Sequence, residues 1–187
     1  MALNTLEAFF ELLRKGIWQS SISQGEKYAH NSFVKVNWAD VYQLSEEQSV
    51  VGLLAAGIDR NQGSGFEKSA VPQEWSLQFI GATLQIEQQN KAMNEFVRWL
   101  INRLRKEGIY AILVKGQGIA QCYERPLWRA SGDVDLFLSD TNYEKAREIL
   151  KPLASTVEEE YVREKHLGMT IDDWVVELHG HLYCGLS

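Results

Sequence analysis

The sequence predicts an α+β fold: a helical N-terminal half, then a small mixed β-sheet with flanking helices. Three observations lead there. Apolar residues recur at helical spacing through the first hundred positions. At Gly108 the pattern changes to short apolar runs of strand length. Near the C-terminus two such runs flank Asp172-Asp173, the signature of a hairpin.

The elements follow in order. Leu6, Phe9, Phe10, Leu13 and Ile17 form the apolar stripe of a first helix, with Asn4 or Thr5 as its cap and Glu7 and Glu11 near the positive end of its dipole. Residues 19–37 are polar and weakly patterned and read as a loop. Residues 38–58 read as helix, apolar at Val41, Leu44, Val50, Val51, Leu54 and Ala55. Residues 61–72 cluster Gly, Asn, Ser and Pro, so a loop is expected. From Pro72 to Lys106 the pattern is one long helix or two. Pro72 sits at a first-turn position, basic residues Arg103, Arg105 and Lys106 lie near the C-terminal end, and Gly108 stops the helix.

Ile109–Val114 is then expected as a buried strand, because an apolar run bounded by glycine has few polar positions to offer solvent. Gly116 and Gly118 follow, with a short helix over Ile119–Tyr123 that Pro126 ends. Val134–Leu138 reads as a second strand. Asn142–Leu150 reads as a helix, capped by Thr141 or Asp140 and followed by Pro152. Thr156–Val162 is expected as a third strand, and His166–Ile171 with Trp174–Leu182 as the hairpin. The division expected is a helical region over 1–107 and an α/β core over 108–187.

The composition bounds the function. At 187 residues, 45% hydrophobic and 24% charged, the chain has globular statistics and length enough for its own core. Nineteen basic against 25 acidic residues leave a net charge of −6, which opposes a grip on long nucleic acid. A small phosphorylated ligand held through metal ions remains compatible with that charge. Two cysteines, Cys122 and Cys184, cannot build a disulfide framework or a four-ligand zinc site. No apolar run is long enough to span a membrane, and no basic region precedes an apolar core at the N-terminus, so the expected compartment is the cytoplasm.

The sharpest chemical signal is Ser131-Gly132-Asp133-Val134-Asp135-Leu136. Side chains alternate along a strand, so Asp133 and Asp135 share a face, with Cβ atoms roughly 6–7 Å apart, while Val134 points into the core. Two such carboxylates repel unless a hard cation sits between them. An exposed loop end is the bland alternative. Further on, Trp174-Val-Val-Glu177-Leu-His179-Gly-His181 places Glu177, His179 and His181 on one face. If that strand lies beside the first, Glu177 completes a set of three carboxylates. The two histidines read as the solvated face of an edge strand, with ligation of a transition metal as the alternative. A third element is Leu113-Val-Lys115-Gly116-Gln117-Gly118, a strand running into a glycine turn whose N–H groups and Lys115 suit an anion. Arg129 can reach a phosphate or form a surface ion pair.

Taken together, the glycine turn after the first strand, the D-x-D on the second and a third acid on a later strand resemble the minimal nucleotidyltransferase superfold. More narrowly they resemble a bacterial family of uncharacterised nucleotidyltransferases, through Lys115-Gly116, Arg129-Ala-Ser-Gly132-Asp133-Val134-Asp135-Leu136 and Glu177-Leu178-His179. The motifs cover residues 109–182. The resemblance implies a metal-dependent transfer of a nucleoside monophosphate from a nucleoside triphosphate such as ATP. Asp133, Asp135 and Glu177 would be the catalytic and metal-holding residues, with two Mg²⁺ ions or Mn²⁺ in their place. Lys115, Gly116, Gln117, Gly118, Arg129, Ser131 and Gly132 would contact the nucleotide. The acceptor is a small molecule or a protein, and the sequence names neither it nor an oligomeric state.

Gln117 stands where the superfold usually has a small residue after the first glycine. The chain also stops ten residues after Glu177, where relatives continue with further helices, so a short member or a piece of a longer chain is expected. Two rival readings are a non-catalytic nucleotide-binding or regulatory module, and a D-x-D glycosyltransferase. The second lacks the alternating strands and helices that such enzymes place before the motif.

Overall fold

A computed structural model describes residues 3–18, 33, 35–61 and 71–181. The fold is α+β, with six α-helices and one five-stranded mixed sheet among those residues. The chain divides into two compact units. One comprises Met1–Gln89 and Tyr123–Ala130; the other comprises Asn90–Cys122 and Ser131–Ser187.

The first unit holds helices α1 (Thr5–Ile17), α2 (Trp38–Glu47) and α3 (Val51–Asn61), and the start of α4 (Gln73–Lys106). Asn4 caps α1 through a capping box: its side chain accepts from the Glu7 N–H at 2.9 Å, and Glu7 accepts from the Asn4 N–H at 2.9 Å. The buried face of α1 is Ala8, Phe9, Leu12 and Gly16, whereas Leu6 and Phe10 of the expected stripe are exposed. The stripe is rotated because α1 packs against α3 through glycine. A Cβ on Gly16 would collide with the Leu53 carbonyl, and one on Gly57 with the Leu12 carbonyl. The helix expected over 38–58 is two helices. Ser49, at φ 55°, breaks it in the left-handed region, and Val50 donates back to Ser45 O at 2.9 Å. The loop expected over 19–37 lies mostly outside the described residues, as does that over 61–72 from position 62 to 70.

Residues 73–106 form one helix of 34 residues, not two. Gly108, at φ 69°, turns the chain out of it, as expected for a helix stop. Gly81 lies inside α4 with nothing within 4 Å of where a Cβ would stand. Gly81→Ala is therefore expected to stabilise the chain by about 0.5–1 kcal/mol, read as a raised midpoint in urea.

The second unit holds the rest of α4, then β1 (Ala111–Val114), α5 (Gly116–Ala120), β2 (Asp133–Leu138), α6 (Asp140–Leu150), β3 (Thr156–Val157), β4 (His166–Ile171) and β5 (Trp174–His179). The sheet order is β1-β2-β5-β4-β3, with β2 and β5 parallel and the other pairs antiparallel. Period-2 alternation separates its faces. Val134, Leu136, Leu138, Leu167, Met169, Ile171, Val176 and Leu178 pack against Met93, Phe96, Leu100 and Leu104 of α4 and Tyr143, Ala146 and Leu150 of α6. The opposite face carries Asp133, Asp135, Glu177, His179 and His166.

Four local expectations are corrected. β1 is not a buried strand. It lies at the sheet edge with Ile112 exposed, and the buried residue of the expected run is Ile109, ahead of an exposed Tyr110. The short helix starts at Gly116, three residues earlier than expected, because the glycine turn is itself its first turn. Ser139, not Thr141 or Asp140, occupies the cap of α6. The third strand is only Thr156–Val157, with an isolated bridge between Tyr161 and His166. The hairpin forms, with its second strand ending at His179, short of Gly180 and His181. Asp172 and Asp173 both have positive φ, 48° and 68°, which a two-residue turn with right-handed twist requires. Among the described residues no helix is long and apolar enough to cross a membrane.

Glu160 ties α6 to the segment after β3. It accepts from the Tyr143 hydroxyl at 3.0 Å, Arg147 at 3.0 Å and Lys151 at 3.2 Å. Burial pushes its pKa up, but these three donors outweigh burial and hold it below the ordinary 4.5. A depressed folded pKa gives stability that is complete above pH 4.5 and is lost as pH falls through the folded value. The wild-type melting temperature is expected to fall more steeply below that pH than the melting temperature of Glu160→Gln, in parallel thermal melts.

Candidate active site

The site is built on β2, β5 and β4. Asp135 stands directly opposite Glu177 in the parallel β2–β5 register, and Glu177 opposite Gly168 in the antiparallel β4–β5 register. The same hairpin register sets His179 opposite His166. Carboxylate oxygens of Asp133, Asp135 and Glu177 lie within 4.8 Å of one another, so the two aspartates and the third acid converge.

Asp135 is the buried member, 1% exposed. Its Oδ1 accepts from Lys115 Nζ at 2.8 Å and lies 2.8 Å from His179 Nε2. Its Oδ2 is buried and has no hydrogen-bond partner among the described residues. A buried carboxylate oxygen left in this state is costly unless a ligand satisfies it. Glu177 Oε2 lies 3.3 Å from His166 Nε2 and 3.4 Å from His179 Nε2.

Lys115 begins α5 with φ 52° and ψ −147°, a region that L-residues rarely adopt. That backbone turns the chain from β1 into α5 and delivers the ammonium to Asp135. The hydrogen bond to Asp135 raises the Lys115 pKa, against a smaller lowering from burial, so the side chain stays charged through neutral pH. Gly116, at φ 26°, sits against β2; a Cβ there would stand 3.2 Å from Asp133 O and 3.9 Å from Ser131 Oγ. Gly118 is required by packing, since a Cβ would fall 2.6 Å from Leu113 O. Gln117 is 4% exposed, and its side chain donates to Asn90 Oδ1 at 2.7 Å and packs on Met93 Sδ. Gly132 is exposed, with open space around it. Arg129 belongs to the first unit, where it donates to Ala130 O at 3.2 Å.

His181 does not share the face of Glu177 and His179. It lies beyond β5, exposed, with Nε2 3.9 Å from Asp140. The strand's alternation ends at His179, where Gly180 donates to Lys165 O. His166 was missed by sequence reasoning, although the Asp172-Asp173 turn sets the register that pairs it with His179.

Three carboxylates thus converge on the adjacent strands β2 and β5, beside Lys115 and a glycine-rich turn. The family model described as uncharacterised nucleotidyltransferase matches residues 34–185, and the chain belongs to that family. No curated protein and no solved structure matches the chain.

Proposed function

We propose that the chain transfers a nucleoside monophosphate from a nucleoside triphosphate to an acceptor hydroxyl, with divalent cations held by Asp133, Asp135 and Glu177. The observation that carries this reading is Asp135 Oδ2, a buried carboxylate oxygen with no partner among the described residues, on a residue whose carboxylate converges with those of Asp133 and Glu177. Three oxygen donors suit Mg²⁺, or Mn²⁺, over softer metals. When bound, the cations would neutralise the triphosphate and stabilise charge at the α-phosphorus.

The chain's own groups supply the rest. Lys115, with the N–H groups of Gly116, Gln117 and Gly118, holds the β- and γ-phosphates. Ser131 and Gly132 contact the nucleotide. Glu177 accepts the proton of the acceptor hydroxyl. The acceptor oxygen then bonds to the α-phosphorus, the bond to the bridging oxygen breaks, and pyrophosphate leaves. The net charge of −6 directs the acceptor away from long nucleic acid and toward a small molecule or a protein.

A second reading is a nucleotide-binding module without turnover. The burial of the Gln117 side chain favours it, since no small hydroxyl is offered there to a terminal phosphate. Thermal shift with Mg²⁺ and each of ATP, GTP, CTP and UTP separates these readings when paired with a pyrophosphate assay. A ligand that binds only the folded state raises the melting temperature with ln(1 + [L]/Kd). Metal-dependent stabilisation by one triphosphate, lost in the Asp133→Asn/Asp135→Asn variant, is the expected result. Binding without pyrophosphate release in the presence of candidate acceptors assigns the module, and no shift with any triphosphate overturns both readings.

A further inference from the structure

His166 Nε2 and His179 Nε2 both lie near one oxygen, Glu177 Oε2, and His179 Nε2 also reaches Asp135 Oδ1 at 2.8 Å. The separations from Glu177 Oε2 are 3.3 and 3.4 Å, and the ring centroids are 4.9 Å apart. Hydrogen bonds from N–H to oxygen cluster at about 2.9–3.0 Å, so the one between His166 Nε2 and Glu177 Oε2, at 3.3 Å, is long. The same His179 Nε2 makes a short hydrogen bond to Asp135 Oδ1, at 2.8 Å. By contrast, donors about 2.0–2.1 Å from a tetrahedral zinc ion stand roughly 3.3–3.4 Å from one another. The two separations to Glu177 Oε2 match that spacing as well as that of a long hydrogen bond. Ligand atoms of all three lie within 4.8 Å of one another.

The surroundings keep this set accessible. Its side chains are partly buried: 28% exposed for His166, 28% for Glu177 and 17% for His179. The residue opposite Glu177 on β4 is Gly168, and the Glu158 carboxylate lies over it; a Cβ on Gly168 would stand 2.7 Å from Glu158 Cδ. Any larger residue at 168 would displace that carboxylate.

We propose that His166, Glu177 and His179 form a second metal site, for a borderline divalent cation of the zinc type, joined to the three-carboxylate set through Glu177. Two imidazole nitrogens and one oxygen select such a cation over Mg²⁺. Cation binding takes the lone pair of His179 Nε2 and so breaks its 2.8 Å hydrogen bond to Asp135 Oδ1; that ring then carries its proton on Nδ1, and Asp135 Oδ1 keeps Lys115 as its donor. The shared Glu177 makes the two sites interdependent: zinc at the histidines draws on the carboxylate that the proposed function assigns to Mg²⁺.

The test uses the full chain with metal alone, at saturating Mg²⁺ and without nucleotide, so its outcome is separate from that of the triphosphate titration. Zn²⁺ affinity is measured against a chromogenic chelator. His166→Gln and His179→Gln are each expected to weaken it by more than about 10-fold, the least that loss of a partner at a metal site costs. His181→Ala is expected to leave it unchanged, and Asp133→Asn, which weakens the Mg²⁺ that competes for Glu177, is expected not to weaken it. In the wild type, Zn²⁺ should shift the ring resonances of His166 and His179 and not those of His181, a readout that does not depend on any variant folding. Absence of Zn²⁺ binding, equal affinity in the histidine variants, or an equal loss in Asp133→Asn would overturn the proposal.

Discussion

Asp135→Asn is expected to lower metal-dependent nucleotide turnover by about 10²–10³-fold or more, while the far-UV circular dichroism stays that of the wild type. The magnitude follows from removing one preorganised electrostatic group from a reaction whose catalysis is positioning and charge stabilisation. The fold should survive because the amide is isosteric. An Asn oxygen can still accept from Lys115 Nζ, now at 2.8 Å from Asp135 Oδ1. What is lost is the anionic charge and the second carboxylate oxygen, the one that is buried without a partner among the described residues. Exchange of that oxygen for an amide nitrogen puts a donor where a cation would sit. The measurement is pyrophosphate release against Mg²⁺ concentration. Turnover equal to the wild type's would remove Asp135 from the reaction and with it the carboxylate reading.

The carboxylate triad was legible in the sequence because strand alternation is strict. Once Val134 and Val176 are core residues, Asp133, Asp135 and Glu177 must point the other way, and the structure has them on one face. The parallel pairing of β2 with β5 was not legible. Nothing local to either strand states that β5 inserts beside β2 while β4 and β3 lie outside it. His166 was hidden for the same reason, since it acquires its place only through the hairpin register. Gln117 was misleading in a different way. Its position in a glycine turn reads as a loop, but the turn is the start of α5, so the side chain faces α4 and Asn90 instead. In the helical half, periodicity found α1 but not its rotation, because the buried face is set by where two glycines let backbones meet and not by where the largest apolar residues fall.

That close approach carries the largest stability effect expected outside the site. Gly16 of α1 stands over the Leu53 carbonyl of α3, and Gly57 of α3 stands over the Leu12 carbonyl of α1. Each contact is between a glycine and backbone, so a substituted side chain cannot be accommodated by a neighbour changing rotamer. The helices themselves must separate, and separation uncovers Ala8, Phe9, Leu12, Leu54 and Ile58, all buried in one cluster. Gly57→Val adds three carbons at this crossing and is expected to cost about 3 kcal/mol or more, at or beyond the usual range for overpacking. For a chain of this length that lowers the melting temperature by roughly 6–12 °C. Helix propensity opposes the result, since glycine is the poorer helix former, so a rise or no change would mean that α1 and α3 do not meet through these glycines. Gly81→Ala supplies the internal comparison. It makes the same kind of exchange in a helix, where the site is open, and is expected to change stability in the opposite direction. The sign difference between the two variants, measured in one urea series, isolates the backbone contact from the propensity of glycine itself.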